Sequence, residues 1–345
     1  MNTWSRLLGA LVAGEDLAGE DTAWAMDQVM TGSATAAQIA GFAIALRAKG
    51  ETAAEIGGMA SAMLGHAKRL RTDRACIDIV GTGGDQAGTV NISTMSALVA
   101  AAAGTPVVKH GGRAASSKSG TADVLEALGV VIELTADAVR RCVTEVGIGF
   151  CFAPAFHPAL RHAIGPRREL GVPTAFNVLG PLTNPAQPGA GLFGCANERF
   201  APVMAEVFAT RGTRALVVRG DDGLDELTTT ATSTVRIVAD GSTRTVGFDP
   251  VRIGVPRVDV SALHGGDASH NARVVRELLD GRKGPVRDAV LLNAAGAIAA
   301  HADPLDGELE ELIESRMATA AEAIDSGAAH RLLEQWTSLT KRLAD

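Results

Sequence analysis

The chain has 345 residues, 46% hydrophobic and 21% charged, enough for two domains with well-buried cores and too apolar for an intrinsically disordered chain. A net charge of -7, with 3% aromatics and no Tyr, excludes general nucleic-acid binding, which needs basic charge and stacking rings. The longest apolar run, residues 97–108, is broken by Gly104 and Pro106, so no membrane span is expected.

Residues 1–20 mix Arg6 with Glu15, Asp16 and Glu20 among scattered leucines, a pattern closer to an amphipathic helix than to a secretion signal. Thr35-Ala-Ala-Gln38 and Thr52-Ala-Ala-Glu55 have capping-box spacing and each opens an amphipathic run, with Gly50 as a stop between them. No strand pattern occurs in residues 1–72, so a small all-helical N-terminal domain is expected there. From Cys76 the texture changes. Strand-like runs at 77–80, 105–108, 130–134, 148–152, 215–218 and 235–238 alternate with helical runs such as 93–103, 122–128 and 136–146. That alternation predicts a larger α/β domain with a mostly parallel central sheet, spanning 73–164 and 192–345. Between these, residues 165–191 carry Pro166, Pro173, Pro181, Pro185 and Pro188 and read as a crossover or hinge, part of it belonging with the helical domain. The tail, 309–343, is expected to be helical. Cys76, Cys142, Cys151 and Cys195 lack zinc-ligand spacing and sit mostly in apolar surroundings, so buried thiols in a reducing cytoplasm are expected.

Ligands of parallel sheets bind beyond the carboxyl ends of the strands, and the two most loop-like motifs fall there. Gly81-Thr-Gly-Gly-Asp85 follows a strand-like run; it fits a plain turn, or a loop whose bare N–H groups approach a phosphate. It is neither a Walker loop nor a dinucleotide fingerprint. Asn91-Ile-Ser-Thr94 fits helix capping, or hydroxyls added to a phosphate cradle with one oxygen for a magnesium ion. Lys109, after Pro106-Val-Val108 and beside glycines, reads as functional, and Arg113, Ser116, Ser117, Lys118, Ser119 and Thr121 add donors. Asp123 and Glu126 are expected to serve the dipole of the following helix.

Gly220-Asp-Asp-Gly-Leu-Asp-Glu-Leu-Thr228 places four acids within six residues. Alone it fits a solvated turn; beside a polyphosphate site it fits Mg2+, which takes a few carboxylate oxygens plus waters and substrate phosphates. Phe156-His157-Pro158 leads to Arg161, Arg167 and Arg168, which pair with acids such as Glu169 or form a carboxylate site. No hydrolase triad, zinc motif or pair of catalytic acids stands out. The constellation suits a reaction driven by positioning and charge stabilisation.

Taken together, these motifs resemble the anthranilate phosphoribosyltransferases of tryptophan biosynthesis, from the helical start through the tail. The strongest pieces are Gly81 to Asp85, Asn91 to Thr94, Lys109 to Glu126, His157 to Pro185 (with Phe176-Asn-Val-Leu-Gly-Pro-Leu-Thr-Asn-Pro185) and Asp222 to Thr228. The resemblance implies a helical domain plus an α/β domain as in class II nucleoside phosphorylases. It also implies a homodimer joined through the helical domain, and transfer of phosphoribose from phosphoribosyl diphosphate to the amine of anthranilate with Mg2+. It assigns the diphosphate sugar to Gly81, Gly84, Asp85, Thr89, Asn91, Ser93, Thr94, Lys109, Arg113, Ser117 and Thr121. Ile92, His110, Gly111, Gly112, Ala114, Ala115 and Ser116 complete the substrate-binding set. Ser93, Asp225 and Glu226 match the metal ligands, Arg167 the arginine for the anthranilate carboxylate, and Lys109, His110 and Arg167 are the expected catalytic residues. One departure stands out: the family pattern Lys-His-Gly-Asn-Arg has Gly112 here in place of Asn. Rival readings are a nucleoside phosphorylase of the same fold, a non-enzymatic phosphate- or nucleic-acid-binding relative, and a transferase for another aromatic amine.

Overall fold

A computed structural model describes residues 2–114, 118–302, 305 and 307–344. The amino end forms four helices: α1 (Trp4–Val12), α2 (Gly19–Met30), α3 (Ala36–Lys49) and α4 (Ala53–Gly65). Both expected capping boxes form, Thr35 with Gln38 and Thr52 with Glu55, and Gly50 ends α3 at φ 99°. α2 and α4 pack backbone to backbone. A Cβ on Gly58 would stand 2.0 Å from the Gly19 carbonyl oxygen, so only glycine permits that approach.

The α/β part runs β1 (Ile77–Gly81), α5 (Ile92–Ala102), β2 (Val107–Gly111), α6 (Thr121–Ala127), α7 (Ala136–Glu145), β3 (Ile148–Phe152), α8 (Ala153–Phe156), α9 (Arg161–Leu170) and α10 (Leu179–Leu182). It continues through β4 (Ala190–Gly194), α11 (Phe200–Thr210), β5 (Arg214–Gly220), β6 (Ser233–Ala239), β7 (Ser242–Phe248), α12 (Ala268–Leu279), α13 (Pro285–His301), α14 (Leu309–Asp325) and α15 (Ala328–Ala344). The sheet order is β3-β2-β1-β4-β5-β6-β7. The first five strands are parallel; β6 and β7 are antiparallel additions. The expected mostly parallel sheet is therefore present.

Several expected elements differ. The second strand begins at Val107, not 105, and runs on to Gly111, so Lys109 and His110 lie inside it. Residues 130–134 form no strand. Gly129 turns at φ 92°, and the segment then links α6 to α7, with Val130 and Ile132 filling the core and Val131 N–H donating to Thr340 Oγ1 at 3.2 Å. β4 begins at Ala190, inside the stretch expected to be only a crossover, and β7 is an edge strand whose Thr and Arg side chains mask its period. The tail is two helices, broken at Ser326 and Gly327.

Two cores form. One joins α5, α13, α14 and α15 to the sheet. In the other, α1 to α4 pack with α10, α11 and the Phe193, Ala215 and Val217 side of β4 and β5. No helix among the described residues is long and apolar enough to cross a membrane.

Candidate active site at the switch point of the sheet

Chain order reverses between β1 and β4: from β1 the chain moves to β2 on one side, and from β4 to β5 on the other. The loops diverge there and leave a crevice at the carboxyl ends of the strands. Gly81 and Gly194 are register partners at those two ends. Both must be glycine because the loop after β5 lies on them. A Cβ on Gly81 would stand 2.0 Å from Asp225 Oδ2, and one on Gly194 would stand 1.6 Å from the Asp225 carbonyl oxygen.

The loop after β1 crosses this crevice with Gly83, Gly84 and Gly88 at φ 68°, 86° and 63°, and with Gln86 at 59°. Open space faces each of those glycines. Left-handed residues in such runs turn successive N–H groups toward one concavity, a nest suited to an anion. One N–H is already used: Gly83 donates to Asp225 Oδ2 at 2.7 Å. Asp85 accepts from Ala87 N–H at 3.3 Å and stands near enough to Asp225 to disfavour its charge. Thr89 bridges to His264 through its backbone.

α5 begins at the crevice, with Ile92 buried at its first turn. Asn91 does not cap it in the usual way. Its Nδ2 donates to the Ser119 carbonyl at 3.1 Å and its Oδ1 accepts from Asn271 Nδ2 at 2.8 Å, so it staples three segments. Thr94 Oγ1 donates to Thr121 Oγ1 at 3.3 Å. Ser93, one residue earlier, meets Lys109.

Lys109 is 1% exposed, its ammonium donating to the Ile79 carbonyl and, at 3.2 Å, to Ser93 Oγ. Burial pulls its pKa down from the ordinary lysine range, and Asp78, Glu226 and Asp225 oppose that pull. Burial in turn raises Asp78 to about 6, against Lys109, the Asn184 amide and the His110 N–H. Asp225 rises to about 6, chiefly through burial and then Asp85; Glu226 rises well above its usual range through burial and Asp225, relieved by Lys109 and the Ser93 N–H. Three carboxyls thus share one buried ammonium, and Asp225 and then Asp85 disfavour the charge on Glu226.

Not all the acids of the loop after β5 take part. Asp222 accepts from Leu224 N–H at 3.1 Å, Thr228 Oγ1 at 2.8 Å and Thr230 Oγ1; Asp221 accepts from Thr232 Oγ1 and, at 3.2 Å, Thr234 Oγ1. Hydroxyls satisfy that pair, so the expected four-acid repulsion reduces to Asp225 and Glu226. Among the described residues no group of three or more His, Cys, Asp or Glu forms a ligand set by itself. Two carboxylates and the Ser93 hydroxyl suit a hard cation that keeps waters or substrate oxygens.

Arg113 is not turned into the crevice. It pairs with Asp123 at 3.0 Å and with Glu126, Nη2 to Oε1, at 3.1 Å, and lies 5.6 Å from the Phe152 ring centroid. Asp123, expected as a dipole partner, also accepts from Ala114 N–H at 3.0 Å and Gly120 N–H at 2.8 Å and so clamps both ends of the loop after β2. Ala115, Ser116 and Ser117 lie outside the described residues. Gly112 needs no glycine: its φ is not left-handed, and the nearest atom to an added Cβ is Ala153 Cβ at 4.0 Å.

His110 Nδ1 is 3.0 Å from the Gly180 carbonyl and His157 Nε2 is 2.9 Å from the Thr183 carbonyl. A carbonyl can only accept, so each of those nitrogens carries the proton. His110 Nε2 and His157 Nδ1 are then buried lone pairs without a partner. The rings meet edge to face at 5.2 Å. Burial, then His157, drives His110 to about 3; burial drives His157 to about 4. Both are neutral at ordinary pH. Arg167, on α9, is half-buried with its guanidinium 5.4 Å from the Phe176 ring centroid, and among the described residues neither it nor Arg168 pairs with an acid. Among the described residues no hydrogen bond or ion pair joins Arg167 to the loops around Lys109.

Asn184 was missed in the sequence. Its Nδ2 donates to Asp78 Oδ2 at 2.8 Å and to the Val108 carbonyl at 2.7 Å, and its Oδ1 accepts from Ala186 N–H at 2.9 Å. An Asn between Thr183 and Pro185 was the available signal. The four cysteines are all buried and free, with Cys142 pushed up to about 11 and Cys195 to about 12 by burial.

A helical bundle beside an α/β layer, with a glycine nest and buried acids at the sheet's switch point, places the chain among glycosyl transferases. Residues 73–330 match the glycosyl transferase family's a/b domain and residues 5–67 its helical bundle domain. Over 97% of its length the chain is 63% identical to the anthranilate phosphoribosyltransferase of Saccharopolyspora erythraea, covering 95% of that protein. The crystal structure of anthranilate phosphoribosyltransferase from Thermus thermophilus superposes with a TM-score of 0.89 at 42% identity, over 97% of this chain and 99% of that one. The Saccharomyces cerevisiae enzyme, solved in complex with phosphoribosyl diphosphate and Mg, gives 0.87 at 28% identity, over 99% and 98%. The chain belongs to the anthranilate phosphoribosyltransferase family.

Proposed function

We propose that the protein transfers the 5-phosphoribosyl group of phosphoribosyl diphosphate to the amine of anthranilate, giving N-(5-phosphoribosyl)anthranilate and pyrophosphate, the second step from chorismate to tryptophan. The observation that carries this reading is 63% identity over nearly the whole chain to an enzyme of that name. The yeast relative's complex with the diphosphate sugar and Mg supports Mg2+ as cofactor.

Ser93, Asp225 and Glu226 would hold Mg2+; when bound, it neutralises charge on the departing pyrophosphate. What supports this set is the excess of buried carboxyls over the single ammonium of Lys109. Lys109 holds Ser93 and its neighbouring acids in place. The N–H of Gly84, in the left-handed loop after β1, lines the sugar diphosphate with Thr89, Asn91 and Thr94. Neutral His110 offers Nε2 as a hydrogen-bond acceptor for the substrate amine, and Arg167, without an acid partner among the described residues, takes the anthranilate carboxylate. Holding the amine against C1 makes the encounter an in-place reaction, with no covalent enzyme intermediate.

The protein works as a cytoplasmic homodimer through its helical domain, on which Val12 and Ile44 stand exposed. That domain comprises residues 1–72 with part of 165–191, and residues 73–164 and 192–345 form the sugar-binding domain. The test is loss of anthranilate fluorescence on mixing enzyme, phosphoribosyl diphosphate and Mg2+. Loss that needs all three supports the reading; unchanged fluorescence, with phosphorolysis of thymidine or uridine instead, overturns it.

A further inference from the structure

A second cleft opens at the amino ends of the parallel strands, where Gly189 and Thr213 precede β4 and β5. Its volume is about 490 Å3, and α4 and the end of α11 form its walls. Arg69 and Arg211 both line it, and among the described residues no Asp or Glu does. Among the described residues neither arginine has an ion pair. Arg211 Nη1 donates to the Leu182 carbonyl at 2.6 Å, while its Nη2 is buried with no acceptor. Arg69 bonds only the neutral side-chain oxygen of Gln187. Burial disfavours the charge on Arg211, and the Arg69 guanidinium is close enough to add to that. Leu64, Leu182, Phe193 and Phe208, otherwise buried in the core, supply apolar patches to the same lining.

Two cations without an acid partner among the described residues, in a half-closed cleft of a chain of net charge -7, are an electrostatic cost that an anion would remove. Arginine forks match a carboxylate in geometry, and the apolar walls match a hydrocarbon body. We propose that this cleft binds a small organic carboxylate, its charge between Arg69 and Arg211 and its apolar body against Leu64, Phe193 and Phe208. The site is separate from the crevice at the carboxyl ends of the strands. It nevertheless reaches it: Arg69 follows α4, and Leu70 N–H donates to the Pro185 carbonyl at 3.3 Å, beside Asn184. Arg69 also bears on His157, whose protonation it opposes. A ligand here would brace both segments that connect the helical part to the sheet.

Soaking crystals of the full chain with 4-bromobenzoate locates the ligand by the anomalous signal of bromine. Calorimetry with benzoate then compares Arg69→Gln, Arg211→Lys and wild type, each also in an Arg167→Ala background to remove the acceptor site. The expected result is bromine in the cleft and about a tenfold weaker affinity in Arg69→Gln, the loss typical of a charged hydrogen bond. Arg69 is exposed and its variant should fold. No bromine in the cleft, or equal affinity in Arg69→Gln, overturns the proposal. Tighter binding of inorganic phosphate than of benzoate also overturns it, by assigning the cleft to a phosphate ligand. Failure of the acceptor-site reading is distinct: Arg167→Ala alone would then leave the isotherm unchanged.

Discussion

The Lys109 ammonium donates to the Ser93 hydroxyl at 3.2 Å and ties the middle of β2 to the first turn of α5. The same ammonium reaches the Ile79 carbonyl of β1. One buried cation therefore joins two strands and a helix at the point where the sheet's order reverses, and it is the only counter-charge there for Asp78, Asp225 and Glu226 among the described residues.

Replacing Lys109 by Met leaves those acids unpaired. Breaking a buried pair in this way costs about 3–5 kcal/mol. Urea unfolding should show that loss at pH 7.5, with a smaller deficit at pH 5, where the acids take up protons. The variant should also lose at least about a hundredfold in kcat, as for removal of a preorganised charge-stabilising group. A stable variant with wild-type kcat would contradict this role.

Gly194→Ala puts a methyl 1.6 Å from the Asp225 carbonyl oxygen and must push the acid loop away from β4. Overpacking costs about 1–3 kcal/mol. A lowered melting temperature with a raised Mg2+ requirement is expected. A melting point and Mg2+ requirement unchanged from wild type would mean that the loop has room to spare.

Gly112→Asn should be tolerated, since its φ is not left-handed and an added Cβ would meet only Ala153 Cβ, at an ordinary contact distance of 4.0 Å. Loss of unfolded-state freedom should raise stability by about 0.4–1 kcal/mol. A new polar contact of about 0.5–1.5 kcal/mol would lower the KM for anthranilate about two- to twelvefold, with the KM for the diphosphate sugar unchanged. An unchanged or higher anthranilate KM would sink this expectation and favour another amine as acceptor.

The histidine pair should make the protein acid-sensitive. Folded pKa values of about 3 for His110 and about 4 for His157 lie below the unfolded value of 6.5. As pH falls below 6.5 the unfolded chain takes up protons that the folded one refuses, so stability drops. The slope is about 1.4 kcal/mol per pH unit for each histidine, down toward pH 4. Asp78 and Asp225, raised to about 6, act the other way between pH 4 and 6. A His110→Gln variant should show a shallower loss than wild type between pH 7.5 and 6 in urea unfolding. Parallel curves would contradict the neutral buried pair.

Much of this architecture was legible because local signals and tertiary demands agree. Thr35 with Gln38 and Thr52 with Glu55 open helices as their spacing requires, and β3, buried at every position, reads as a continuous apolar run. Residues 130–134 misled because an apolar run also suits a connection laid on the core. β4 was hidden by the glycines and prolines around it; Gly194 is there because Asp225 needs the space, and Gly191 because the Asp78 carbonyl and the Phe193 ring do. In the site, charge pattern located Lys109, Asp225 and Glu226. It could not separate them from Asp221 and Asp222, which are exposed and have threonine hydroxyls within reach, where Asp225 and Glu226 are buried. Asn184 and Asn271 act across 76 and 180 residues of chain, on Val108 and Asn91, which no local pattern encodes.

The central claim is that Asp225 and Glu226 need a cation to carry their charge, and that this cation serves the departing pyrophosphate. The direct measurement is anthranilate consumption titrated with Mg2+ in wild type, Asp225→Asn and Glu226→Gln. The expected result is activity abolished by chelation and restored by Mg2+ in wild type, with each variant needing at least about tenfold more metal, as for loss of a charged contact worth about 1.4 kcal/mol or more. Full activity after chelation, or identical Mg2+ titrations in the three proteins, would contradict it.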